Sequence, residues 1–185
     1  MFERWRRKRE NREVVSRVYD AVVARARRPA LYLDGGLPDT VLGRYEALGI
    51  EVLLLLDRCR EDAALKAFSQ DVIDRFMLDM DHSLREIGIG YQGVPRRMRR
   101  LANRFYTRVS EFGPPLAAGD RDALQAALQK RALADVAAPE GAAAFLATYM
   151  IDTARRYATI PAEAILAGDL GGLEEKRHGD EERSV

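Results

Sequence analysis

Arginines recur at Arg96, Arg97, Arg99, Arg100, Arg104 and Arg108, and no carboxylate stands between the first and the last. On a helix turning about 100° per residue, Arg96, Arg97, Arg100, Arg104 and Arg108 fall within about a third of a turn. Met98, Leu101, Phe105, Val109 and Phe112 gather on the opposite side. Such a helix has an apolar back and a cationic face, and that face attracts anions. Three partners fit it. Internal carboxylates such as Asp71, Asp74, Asp79, Asp81 and Glu86 are one; an acidic protein surface or ribosomal RNA is the second; anionic lipid is the third. Asp74 and Asp81 share one side of the preceding helix two turns apart, which suits a basic partner or two ordinary surface carboxylates.

Catalytic and ligating constellations are harder to find. Asp79 and Asp81 stand two residues apart on a helix and diverge, so with His82 they read as a solvated face, not a metal site. One cysteine, Cys59, and two distant histidines, His82 and His178, do not make a zinc site of the usual kind, and a lone cysteine closes no internal disulfide. Cys59 sits near the end of an apolar helix without a neighbouring acid-base pair, which predicts a buried, unreactive thiol. Ser83 beside His82 is a neighbour in sequence only. Gly88-Ile-Gly90 follows a helix, where a dinucleotide fingerprint needs a strand, so these glycines read as chain geometry. No catalytic residue, metal or cofactor is assigned. The competing class is a small-molecule enzyme that uses the bundle interior around Tyr45, Glu51 and Asp79.

The elements that hold these residues are helical throughout. At 185 residues, 47% apolar and 32% charged, the chain can bury one substantial core, and one domain is expected. Val14, Val15, Val18, Val22 and Val23 give a first helix from about Glu10 to Arg28, ended by Pro29. Pro29 to Pro38 reads as a loop; Asp39 or Thr40 then caps a second helix reaching Arg60, apolar nearly all round. Val52 to Leu56 alone would also suit a buried strand, but no turn residue precedes it. Leu65, Phe68, Val72, Phe76, Met80, Leu84 and Ile87 form the core stripe of a third helix from about Glu61 to Ile87.

A glycine-proline hinge then leads into the arginine helix, which is expected to stop at Phe112 before Gly113-Pro114-Pro115. Two alanine-rich helices follow, over about Asp120 to Ala137 and Pro139 to Thr159, and Pro161 opens a short one through Ala167. The expectation is an all-α, single-domain orthogonal bundle of about six to seven helices spanning residues 13–173. Residues 174–185 read as a charged, disordered tail.

Net charge is only +1, but basic residues crowd the start of the chain and acidic ones the end. Within residues 1–12, Phe2 and Trp5 stand beside Arg6, Arg7, Lys8 and Arg9, an apolar anchor among charges suited to anionic headgroups; a plain basic tail is the alternative. At about 1 kcal/mol per basic residue near such a surface, this segment predicts weak, salt-sensitive attachment. No apolar run approaches the roughly 20 residues of a membrane span. Glu3, Glu10 and Glu13 argue against a mitochondrial presequence, and a cytoplasmic setting, peripheral to the inner membrane, is expected.

Several segments carry a family resemblance: Arg28-Pro-Ala-Leu-Tyr32, Leu37-Pro-Asp-Thr40, Gly43-Arg-Tyr-Glu46, and above all Leu84-Arg-Glu-Ile-Gly-Ile-Gly90 with Gly93-Val-Pro-Arg96 and Arg104-Phe-Tyr106. Weaker similarity continues from Leu146-Ala-Thr-Tyr149 to Ile165-Leu-Ala-Gly168. With these motifs the chain resembles the ubiquinol-cytochrome c chaperone family, which includes mitochondrial cytochrome b assembly factors and their alphaproteobacterial relatives. The resemblance implies a helical, non-enzymatic chaperone without a cofactor. Its client would be newly made cytochrome b or another complex III component, received with a small partner subunit near the ribosome, and no small-molecule substrate is implied. Glu51 stands where many relatives are expected to carry histidine, and Tyr91-Gln92 replaces a more acidic loop. The candidate partner-binding residues are Arg96, Arg97, Arg100, Arg104, Arg108, Asp74, Asp81 and Tyr91.

Overall fold

The structure is a computed structural model that describes residues 2–88 and 93–171, with side chains from Asn11 onward. Among the described residues there are eight α-helices and no strand. They are α1 (Phe2–Ala26), α2 (Pro29–Leu33), α3 (Val41–Cys59), α4 (Lys66–Glu86), α5 (Val94–Ala118), α6 (Arg121–Arg131), α7 (Ala142–Ala158) and α8 (Ala162–Leu166), with a 3₁₀ turn at Ala63–Leu65 before α4.

Helix α3 is the centre of the bundle. Its residues from Tyr45 to Leu55 are all buried, as a sequence apolar nearly all round requires, and α1, α4, α5 and α7 pack around it. Thr40 caps it, its hydroxyl accepting from the Gly43 amide at 3.2 Å. Helix α6 bridges α5 and α7 and closes the other side of the core. The aromatic centre, Tyr45, Phe76 and Phe105, joins α3, α4 and α5, with ring centroids 5.9 Å apart for the first pair and 5.0 Å for the second.

Four features differ from the sequence expectation. Helix α1 begins at Phe2, well before Glu10, so the backbone of the basic segment continues the first helix. The expected loop after Pro29 holds the short helix α2, with Pro29 in its first turn and Leu31 buried beneath it. The alanine-rich helices are shorter than expected, α6 ending at Arg131 and α7 starting at Ala142 after Gly141. The arginine helix does not stop at Phe112 but runs through Pro114 and Pro115 to Ala118.

Burial explains that last result. Phe112 and Leu116 stand one turn apart on the stripe begun by Phe105, and all three are buried. Two buried side chains contribute about 1.5–3 kcal/mol each, comparable with the roughly 3 kcal/mol that each of the two interior prolines costs a helix. One carbonyl deprived of its amide partner belongs to Ser110, an exposed residue. The helix ends instead at Gly119, which takes φ +65° as the left-handed cap, and the Asp120 carboxylate then accepts from the Ala123 amide at 3.0 Å to start α6.

Gly43 marks the tightest backbone approach. A Cβ there would lie 1.8 Å from the Pro38 carbonyl oxygen, whereas one on Gly49 would meet Phe105 at an ordinary 3.7 Å. Gly43→Ala is therefore expected to destabilise the fold by about 1–3 kcal/mol, as overpacking does. Gly49→Ala should be neutral or stabilising by up to about 1 kcal/mol. Urea unfolding midpoints check both.

Candidate functional site

The N-terminal half of α3, the C-terminal half of α4, the end of α1 with α2, and the first turns of α5 enclose an open groove of about 1570 Å³. Its lining includes buried Leu48, Met80 and Leu84 together with residues of α2, the end of α1 and α5. Large apolar side chains stand uncovered in it. Leu33 is 71% exposed, Val41 60%, Ile87 53% and Leu42 45%. Ile87 was expected in the core stripe of its helix; the other six residues of that stripe are buried, and Ile87 alone emerges, beside Gly88 at φ +81°.

Arginines edge the groove. Arg97, Arg100 and Arg104 come from α5, Arg27 follows α1, and Arg44 stands on α3. Arg44 is paired with Asp39 at 2.6 Å, and its side-chain hydrogen bond holds the Asp39 carboxyl below its ordinary pKa. Arg97 and Arg100 are exposed and have no ionic partner among the described residues, and neither have Arg96 and Arg99 beside them.

The cationic stripe thus divides in two. Arg108 is buried and donates to both oxygens of Glu46, from Nε at 3.2 Å and from Nη2 at 3.0 Å, and also to the Arg131 carbonyl. Half-buried Arg104 donates to the same Glu46 carboxylate. The internal partner is therefore Glu46 of α3, not the α4 carboxylates considered from sequence. Each i, i+4 step advances about 40° around a helix, so the stripe drifts until Arg108 lies only about 40° from Phe112. It enters the core with the apolar side.

The α4 acids pair within their own helix or with α1, where Asn11 donates to Asp71 at 2.6 Å. Asp74 accepts from Gln70 at 2.9 Å. Asp81 accepts from Arg85 at 2.6 Å, a bond that lowers its pKa. Asp79 accepts from Tyr19 at 3.0 Å, within 4.0 Å of Arg75. Tyr91 lies outside the described residues. So do the side chains of Phe2, Trp5, Arg6, Arg7, Lys8 and Arg9, whose backbone is helical.

Tyr45, Glu51 and Asp79 do not converge on one point. Tyr45 and Asp79 line the groove, the Tyr45 hydroxyl donating to the Leu101 carbonyl. Glu51 is fully buried on α3, accepting from Arg25 Nε at 2.8 Å and from the Tyr149 hydroxyl. Burial opposes the charge on Arg25, but Glu51 beside it more than offsets this and keeps the guanidinium pKa raised. Burial, and then the same carboxylate, push the Tyr149 phenol up, so it stays a neutral donor. Cys59 is buried, and desolvation pushes its thiol up to about 11, which leaves little thiolate to react. Among the described residues no group of three histidine, cysteine, aspartate or glutamate side chains is placed to hold a metal ion, and no helix is long and apolar enough to cross a membrane.

A family model described as ubiquinol-cytochrome C chaperone matches residues 33–172, which include α3 to α8 and all of the groove except its α1 and Pro29–Tyr32 edge. The chain belongs to that family. The fold is similar to that of the crystal structure of the Cbp3 homolog from Brucella abortus, with a TM-score of 0.79 and 43% sequence identity over 91% of this chain and 93% of that one. None of the curated proteins matches this chain.

The arginine helix was legible in the sequence, whereas the pairing of Glu46 and the groove were not. A carboxylate in a helix apolar all round signals a buried pair, and Glu46 carries that signal as clearly as Glu51. Leu33, Val41 and Leu42 give no such signal, because an apolar residue near a helix end reads alike whether covered or bare. Arg108→Ala is expected to destabilise the fold by about 1.5–3 kcal/mol, since buried Glu46 then keeps only its Arg104 donor and the Arg131 carbonyl loses its own. Arg97→Ala and Arg100→Ala should stay within about 0.5 kcal/mol of the parent. Urea denaturation of the three variants decides it.

Proposed function

We propose that this protein is a non-enzymatic assembly factor for ubiquinol-cytochrome c reductase that binds newly made cytochrome b, or another component of that complex, through the groove. The observation that carries the reading is the set Leu33, Val41, Leu42 and Ile87, left bare beside Arg97 and Arg100, which have no ionic partner among the described residues, in a fold whose buried charges are matched. A folded domain that exposes clustered aliphatic side chains in a concavity loses the stabilisation their burial would give, and this is the mark of a surface shaped for another chain. Membership of the ubiquinol-cytochrome c chaperone family supplies the biological setting.

The basic segment that opens α1 extends the proposal to place. Its residues Phe2 to Arg9 continue the helix backbone, and the reading assigns them to the anionic cytoplasmic face of the inner membrane, where a membrane-protein client is inserted. A small partner subunit and the ribosome fit as further contacts of the same surface.

Deletion of the gene is expected to lower the cytochrome b haem absorbance of membranes and their ubiquinol-cytochrome c reductase activity together, with parental protein restoring both. Arg97→Glu with Arg100→Glu should fold yet fail to restore either. A form lacking residues 1–12 should restore both in part while shifting from the membrane to the soluble fraction. Normal haem spectra and activity in the deletion strain would reject the assembly role.

A further inference from the structure

The groove's chemistry selects among the chains it could hold. Charged residues lining it without an ionic partner among the described residues are Arg27, Arg97, Arg100 and Glu86, three cations against one anion. Arg97 and Arg100 also stand in the first turns of α5, where the helix dipole adds to the positive potential. The described residues contain no strand, so an extended peptide in the groove finds no sheet edge to pair its backbone. A helix satisfies its own backbone and needs only side-chain contacts. A groove of about 1570 Å³ takes roughly 20 Å of a helix about 10 Å across, three to four turns.

We infer that the groove is a docking site for an acidic amphipathic helix of a protein partner. Aliphatic residues recurring at three- and four-residue spacing lie on Leu42, Leu48, Met80 and Ile87, and aspartate or glutamate on the flank of that helix meets Arg97 and Arg100. The cytoplasmic ends of membrane spans are rich in lysine and arginine. Such flanks are repelled here, so the groove holds an acidic helix of a partner subunit or of a client's polar region in preference to the basic edge of a span. The inference rests on the groove as the protein-contact surface and does not depend on which complex is assembled.

The test uses the full chain and three synthetic peptides capped at both ends. The first is a 15-residue helix with leucines on one face and glutamates on the flanks; the second has lysine at each glutamate; the third scrambles the first so that no apolar face remains. Isothermal titration is expected to show the glutamate peptide binding at least about ten-fold tighter than the other two. Arg97→Glu with Arg100→Glu should reverse the preference between the glutamate and lysine peptides. Arg97→Gln with Arg100→Gln should weaken the glutamate peptide without reversing the order, and circular dichroism confirms the fold of each variant. Equal affinity for all three peptides, or glutamate-peptide binding untouched by either double variant, overturns the inference. So does capture of phosphatidylglycerol vesicles through Arg97 and Arg100 by a chain that binds none of the peptides. Because the measurement needs no cell, it fails or succeeds separately from the complex III assay.

Discussion

Two carboxylates sunk in one helix set the terms for everything packed around it. Glu46 and Glu51 both lie on α3, both are buried, and a buried carboxylate without a partner costs several kcal/mol of lost hydration. Each is met by arginine and by further donors. Glu51 draws in Arg25 of α1 and Tyr149 of α7; Glu46 draws in Arg104 and Arg108 of α5. The second cluster extends outward, because Arg108 also donates to the Arg131 carbonyl, and the Arg131 side chain pairs with Glu111 across α5 and α6. Aliphatic packing alone would allow helices to slide, whereas these pairs fix which helix lies where along α3. They also determine which arginines remain outside. With the middle of α5 held against Glu46, Arg97 and Arg100 are left exposed along the groove that α2, α3 and α4 complete.

Much of this was legible in the sequence because helical periodicity is a local property. Valines at three- and four-residue spacing in α1, the stripe from Leu65 to Leu84, and the apolar back of α5 each declare a buried face without reference to any neighbour. The proline pair at Pro114-Pro115 misled, since the local penalty was countered by burial of Phe112 and Leu116 against elements far along the chain. Helix α2 escaped because five residues between two proline-containing segments carry too few turns for a period to show. Of the candidate partner-binding arginines, Arg96, Arg97 and Arg100 are exposed, while Arg104 and Arg108 are bound to Glu46. The division between them depends on a carboxylate some sixty positions away, which no helical wheel of α5 contains.

The groove has the opposite character to the core. In the core, every element of the bundle agrees on what is inside, down to a thiol kept inert by burial and phenols held neutral beside Glu51. Along the groove, Leu33, Val41, Leu42 and Ile87 are left uncovered, and Arg97 and Arg100 have no ionic partner among the described residues. A protein of this family has reason to keep such a surface open, since assistance to assembly requires contact that is specific enough to find a partner and weak enough to release it.

The central claim, that the groove is where the chaperone meets the complex it helps to build, is tested most directly by placing a photoreactive amino acid at Leu42, inside the groove, or at Leu78, exposed but outside it. After irradiation of cells making a tagged cytochrome b, the account predicts an adduct containing cytochrome b or another complex III component from position 42 and none from position 78. Equal adducts from both positions, or an adduct from position 78 alone, would contradict it.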